Sequence, residues 1–202
     1  GLELRMLAHY MKDDEYTKEV INGDVHSKNQ LAAGLQTRPQ AKTFIYAFLY
    51  GAGPAKIGSI VGGNADAGKR LIASFLKNTP ALKMLKEKVA KYAEKGFVPG
   101  LDGRRLWIRS EHAALNTLLQ GAGAICMKQA LIHLHDSLKR LKIPAKFVAN
   151  VHDEIQIEVL KEHGTIVGEL AVDAIEQAGV TLGLRCPLTG EYKVGNNWKE
   201  TH

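Results

Sequence analysis

The chain has 202 residues, 27 Lys and Arg against 21 Asp and Glu, a net charge of +6 and 45% apolar residues, a composition that can bury a core and excludes disordered and collagen-like classes. Cys126 and Cys186 stand apart with no CxxC or Cys/His pair, so neither a disulfide framework nor a zinc site is indicated. No run of about eighteen apolar residues and no basic-then-apolar leader occurs, and the pI near 9.2 favours an anionic partner.

A reducing compartment and a soluble, cytoplasmic protein with no membrane partner are the expectation. The opening "GLELRMLAHYM" enters periodic apolar sequence at once, as a chain cut from something longer would. Leu2 to Met11 recur at helical spacing, and "KDDEYTKEVINGD" reads as a polar connection, a short helix and a turn at Asn22-Gly23. Residues 25 to 95 are expected to be almost wholly helical. Within them "TRPQAKTFIYAFLYGAG" has Thr37 as N-cap, Pro39 in the first turn, and Gly51 and Gly53 at the end. Two further amphipathic helices divide near Thr79-Pro80.

At residue 97 the pattern changes. Asp102-Gly103 between apolar arms signals a hairpin. A helix of about residues 110 to 141 follows. "KFVANV" and "EIQIEV" then make a second hairpin turning at His152-Asp153, the second arm alternating with period two. A last helix covers about residues 162 to 179, before an irregular tail. The layout is α+β: a helical block, residues 14 to 96, embedded in a mixed unit made of residues 1 to 13 and 97 to 202.

Three constellations carry chemistry. Arg38, Lys42 and Tyr46 share one helix face, since each step of four drifts only ~40°. Two cations and a ring suit a nucleoside triphosphate, and a solvated basic face is the plain alternative. Asp153 and Glu154 at a hairpin turn offer hard oxygen ligands for Mg²⁺, with Asp153 the better ligand because neighbours on a strand face opposite ways. A polar turn is the plain alternative there. Asn116 and Gln120 lie one turn apart beside Gly121 and Gly123, and His26 follows the Asn22-Gly23 turn. Amides can read minor-groove acceptors and a histidine can reach a phosphate, but both also occur as ordinary surface features.

Taken together, these residues resemble a known family. "RPQAKTFIYAFLYG" is similar to the fingers helix of family A DNA polymerases, through Arg38, Lys42, Tyr46, Tyr50 and Gly51. "VHDE" resembles that family's palm motif, "HxALNxxxQGxxA" its primer-template helix, and "GLELR" the second half of its first palm motif. The motifs fall in the family's order, and the variants here look most like the bacteriophage replicative branch. Independent accidents would not fall in this order.

The resemblance implies a right-hand polymerase fragment, with helical fingers (14 to 96) inserted in an antiparallel-sheet palm (1 to 13 and 97 to 202). It implies two Mg²⁺ ions in the intact enzyme, held between two palm aspartates of which Asp153 matches the second, with Glu154 beside it and His152 near the primer terminus. Arg38, Lys42 and His26 would bind the incoming phosphates. Tyr46 would stack on the incoming sugar and base and accept nucleotides lacking the 3′-hydroxyl, and Glu3, hydrogen-bonded near Tyr46, would exclude ribonucleotides. Tyr50 and Gly51 would shape the templating-base pocket. Arg109, Asn116 and Gln120 would contact the duplex, and Trp198 with His202 would close the palm behind the primer. The partners implied are primer-template DNA, deoxynucleoside triphosphates and a processivity factor acting through a thumb.

The family's first metal-binding aspartate would lie three residues before Gly1, so the 202 residues alone are expected not to polymerise. A catalytically silent nucleotide or nucleic-acid binding module and a phage-type single-subunit RNA polymerase are the competing readings. Glu3, Tyr46 and Glu154 argue for deoxynucleotides over the last.

Overall fold

A computed structural model describes residues 1–202. Seven helices come first: α1 (Leu2–Met11), α2 (Asp14–Asn22), α3 (Val25–Ala33), α4 (Arg38–Leu49), α5 (Pro54–Ser59), α6 (Ala65–Asn78) and α7 (Pro80–Ala93). An antiparallel pair follows, β1 (Phe97–Pro99) and β2 (Arg105–Trp107), and then a 3-10 turn at Glu111–Ala113 leads into the 28-residue α8 (Ala114–Leu141). A second antiparallel pair, β3 (Ala145–Val151) and β4 (Glu154–Val159), precedes a 3-10 turn at Lys161–His163, α9 (Gly164–Thr181) and the short α10 (Trp198–Thr201). No helix is long and apolar enough to cross a membrane. The chain forms two compact units, one of Glu3–Gly121 and one of Gly1–Leu2 with Ala122–His202.

In the first unit, side chains satisfy the orphan amides at the helix starts. Asp13 accepts from Tyr16 N at 2.9 Å to cap α2, and Asn64 accepts from Asp66 N and Ala67 N at 3.1 Å to cap α6. Thr37 and Gln40 form a reciprocal capping box on α4, where Pro39 occupies the first turn at no hydrogen-bonding cost. Ala41, Phe44, Ile45 and Phe48 of α4 are buried, and the Phe44 and Phe48 rings meet Phe75 of α6 edge-on at 5.0 and 5.5 Å. Helices α5 and α6 cross through small residues: a Cβ at Gly58 would collide with the Asn64 carbonyl, and one at Gly68 with the Pro54 carbonyl. Tyr16 is buried, and its hydroxyl accepts from Asn29 Nδ2 at 3.4 Å.

In the second unit Leu134 and Leu138 of α8 and Val167 and Ala174 of α9 form a core, with Ala145, Ile157 and Val159 of the β3–β4 pair packed against it. The register runs from Ala145↔Val159 to Val151↔Glu154 with an irregularity between Phe147 and Ala149, leaving His152 and Asp153 as the turn. His152 takes a φ of 55°, a region that non-glycine residues seldom occupy but histidine tolerates better than most.

The tail differs from the irregular segment expected. Asn197 caps α10 by accepting from Glu200 N at 3.3 Å, and at four residues the helix is too short for periodicity to show. The alternation of β4 is also blunted, with Glu154 through Ile157 all half-buried, because the tail reaches its polar side: Thr201 Oγ1 donates to Gln156 Oε1 at 3.2 Å. Cys126 and Cys186 are buried and in no disulfide, and burial pushes the Cys126 thiol up to about 11.

Candidate functional site

The first unit carries the cationic constellation. Arg38 opens α4, and exposed Lys42 and half-buried Tyr46 follow on the same face, opposite the buried Phe44 and Phe48. The Tyr46 ring stacks with that of Tyr50 at 6.4 Å and meets the His26 ring at 6.2 Å. His26, at the start of α3, has a buried Nδ1 with no hydrogen-bond partner in the protein. Its pKa is lowered by burial and then by the positive charge of Arg38, with Asp24 opposing.

Asp24 organises this group. Its Oδ1 caps α3, accepting from His26 N at 3.2 Å and Ser27 N at 3.3 Å. Its Oδ2 accepts from Ser27 Oγ at 2.7 Å and from Arg38 Nε at 2.8 Å. The Arg38 guanidinium and the Ser27 hydroxyl hold the Asp24 carboxyl well below the usual carboxylate range. Sequence reasoning passed over Asp24, although an Asp just before a helical stretch is an N-cap signal. What the sequence could not show is that its second oxygen reaches a residue 14 positions away.

Glu3 accepts from the Tyr50 hydroxyl at 3.3 Å, and so reaches the neighbourhood of Tyr46 through the Tyr46–Tyr50 stack. Gly51 has a φ of 75°, and a Cβ there would collide with the His112 carbonyl. This glycine therefore serves both the chain reversal after α4 and a close backbone approach. Asn116 and Gln120 lie one turn apart at the start of α8, half-buried and exposed respectively, and Arg109 is exposed just before it.

The second unit carries the acidic turn. Asp153 is exposed at its tip beside His152, and Glu154 opens β4. Glu154 is heavily engaged: Trp198 Nε1 donates to Oε1 at 2.8 Å, Gln156 Nε2 makes a short bond to the same oxygen, and His202 Nδ1 lies 2.8 Å from Oε2. Those bonds, Gln156 first and His202 second, lower its pKa. Gln156 and Thr201 were not singled out in the sequence, where neither type at that spacing is distinctive. No group of three or more His, Cys, Asp or Glu side chains comes together that could hold a metal ion. A hard cation held by one or two carboxylates and by substrate phosphates is compatible with Asp153, while the bonds to Glu154 compete for its oxygens.

The chain thus has a helical unit with a cation-and-ring stripe and a second unit presenting an acid on a hairpin turn. The fold matches that of the POL domain of Pol1 from M. smegmatis, in complex with DNA primer-template and dNTP, with a TM-score of 0.84 over 99% of this chain and 39% of that one at 23% identity. The model of DNA polymerase family A matches residues 1–200, and the chain belongs to that family. The chain is 44% identical over 227 residues to the DNA-directed DNA polymerases of Enterobacteria phage T3 and Escherichia phage T7, covering 100% of this chain and 32% of each. It is 30% identical over 224 residues to a DNA polymerase I of Caldicellulosiruptor bescii, covering 99% of this chain and 26% of that one. The chain thus spans about a third of the phage relatives it matches.

Proposed function

We propose that the protein is the fingers (residues 14 to 96) and part of the palm (1 to 13 and 97 to 202) of a template-directed DNA polymerase that transfers deoxynucleotides to a primer 3′-hydroxyl. The observation that supports this most is the order of α4. Arg38, Lys42 and Tyr46 rise along one face of it in a chain whose sequence is similar, over its whole length, to phage DNA-directed DNA polymerases.

In this reading Arg38 and Lys42 grip the triphosphate and stabilise charge developing on the departing pyrophosphate, assisted by His26. Tyr46 stacks on the incoming nucleoside. Glu3, tied to the Tyr50 hydroxyl, crowds the 2′ position, and Tyr50 with Gly51 shapes the templating-base pocket. Arg109, Asn116 and Gln120 contact the primer-template duplex. His152 lies at the primer terminus, and Trp198 and His202 close the palm behind it. Two Mg²⁺ ions, when bound, would activate the primer hydroxyl and neutralise the phosphates, with Asp153 as a ligand. Glu154 assists beside it while anchoring the tail.

Primer extension tests the reading. The matching third of the phage T7 polymerase is replaced by these 202 residues, and the chimera is compared with its Asp153→Asn, Arg38→Ala and Lys42→Ala forms. Extension in the chimera, lost by about 10²-fold or more in Asp153→Asn and in Arg38→Ala, is the expected result. Unimpaired extension by Asp153→Asn would overturn the metal assignment.

A further inference from the structure

We propose that Asp24 is a positioning residue for triphosphate binding, holding the Arg38 guanidinium and the start of α3 in one arrangement before nucleotide arrives. The inference rests on the nucleotide-binding role proposed for Arg38.

One carboxylate makes contacts in two directions. Through Oδ1 it caps α3, which fixes the backbone that carries His26. Through Oδ2 it takes the Nε–H of Arg38 at 2.8 Å, and Ser27 Oγ, donating to the same oxygen at 2.7 Å, holds that carboxylate in place. The bond uses Nε rather than the outer edge of the guanidinium, so both Nη groups stay available for a bidentate grip on phosphate oxygens. Arg38 is 53% exposed on its side chain, and an exposed arginine without such a tether would occupy many rotamers and lose that freedom on binding. Asp24 removes the freedom in advance. Its charge also opposes the effect of Arg38 and Lys42 on His26, whose pKa is lowered first by burial and then by Arg38.

A carboxylate beside a phosphate site also repels the incoming anion. The geometry points to positioning as the larger effect, because the Nε contact turns the fork outward instead of covering it. The two effects have opposite signs, so the experiment separates them.

The test uses Asp24→Ser, because serine caps a helix nearly as well as aspartate but is too short to reach Arg38. Binding of dTTP and of inorganic tripolyphosphate is measured by calorimetry for the 202-residue protein, Asp24→Ser, Arg38→Ala and the double variant, with circular dichroism confirming equal helicity. The expected result is about three- to tenfold weaker binding of both probes in Asp24→Ser, the loss of one pre-ordered side chain. In the Arg38→Ala background the same substitution should have no effect, a coupling that a purely structural cap would not show. Unchanged or tighter binding in Asp24→Ser, or an equal loss in the Arg38→Ala background, would overturn the proposal. If Arg38→Ala itself binds like the parent, the nucleotide reading fails and the role of Asp24 falls with it. If Arg38→Ala is impaired and Asp24→Ser is not, only the role of Asp24 falls.

Discussion

Single atoms decide much of what this chain tolerates. The Tyr16 hydroxyl is buried, and its pKa is pushed up to about 12, chiefly by burial. The neutral phenol is therefore the form the fold holds, and the sign follows: this contribution is complete below the ordinary tyrosine pKa near 10 and is lost as pH rises toward 12. Tyr16→Phe would strip the partner from Asn29 Nδ2, while Asn29 Oδ1 is already without one. A loss of about 1–3 kcal/mol in denaturant unfolding is expected, the cost of a stranded buried donor. Gly51 is constrained differently. Gly51→Ala meets both a left-handed backbone and the His112 carbonyl, and a loss of about 1–3 kcal/mol is expected, with the melting temperature as readout. Glycine is required there by geometry, whatever the pocket does.

At the scale of elements, the tail and β4 behave as one assembly. Trp198, Thr201 and His202 of the tail fasten to Glu154 and Gln156 of β4. The Glu154 carboxyl is depressed first by Gln156 of its own strand and then by His202 and Trp198 of the tail, so the tail's share of that stabilisation is complete above the ordinary glutamate range near 4.3 and is lost as pH falls through the lower folded value. With Trp107 replaced by Phe, Trp198 is the single tryptophan, and its fluorescence should shift as acid releases the tail. A Glu154→Gln variant should show a weakened tail already at neutral pH, and an acid-insensitive spectrum in the parent would contradict this account. The same region marks the reach of the sequence. Thr37, Pro39, the divide at Thr79-Pro80 and the turn at His152-Asp153 were all legible, because each rests on local chemistry: a cap, a missing N–H, a period of 3.6 or 2. The short α10 was not, because four residues are too few for a period to show, and neither was the half-burial of Gln156, where Thr201 arrives from 45 positions away. At the candidate site Arg38, Lys42, Tyr46 and Asp153 could be named from the sequence as the proposed ligands, because each stands in a short local pattern. The residue that orients Arg38 could not, because Asp24 looks like any helix cap until its second oxygen is located.

Across the whole molecule, the two units are stabilised by different means. Glu3–Gly121 relies on many short, capped helices around the Phe44, Phe48 and Phe75 rings, and the second unit on two long helices against one hairpin. Both thiols, Cys126 and Cys186, belong to the second unit and are shut away from solvent. A disulfide reagent such as DTNB should therefore react slowly with the native protein. Its rate would report the opening of the segments that cover Cys126 and Cys186. The placement of two sulfur atoms thus gives the chain a built-in clock for those segments, and a fluorophore attached to a cysteine introduced at exposed Met84 could follow the first unit with the native thiols left in place.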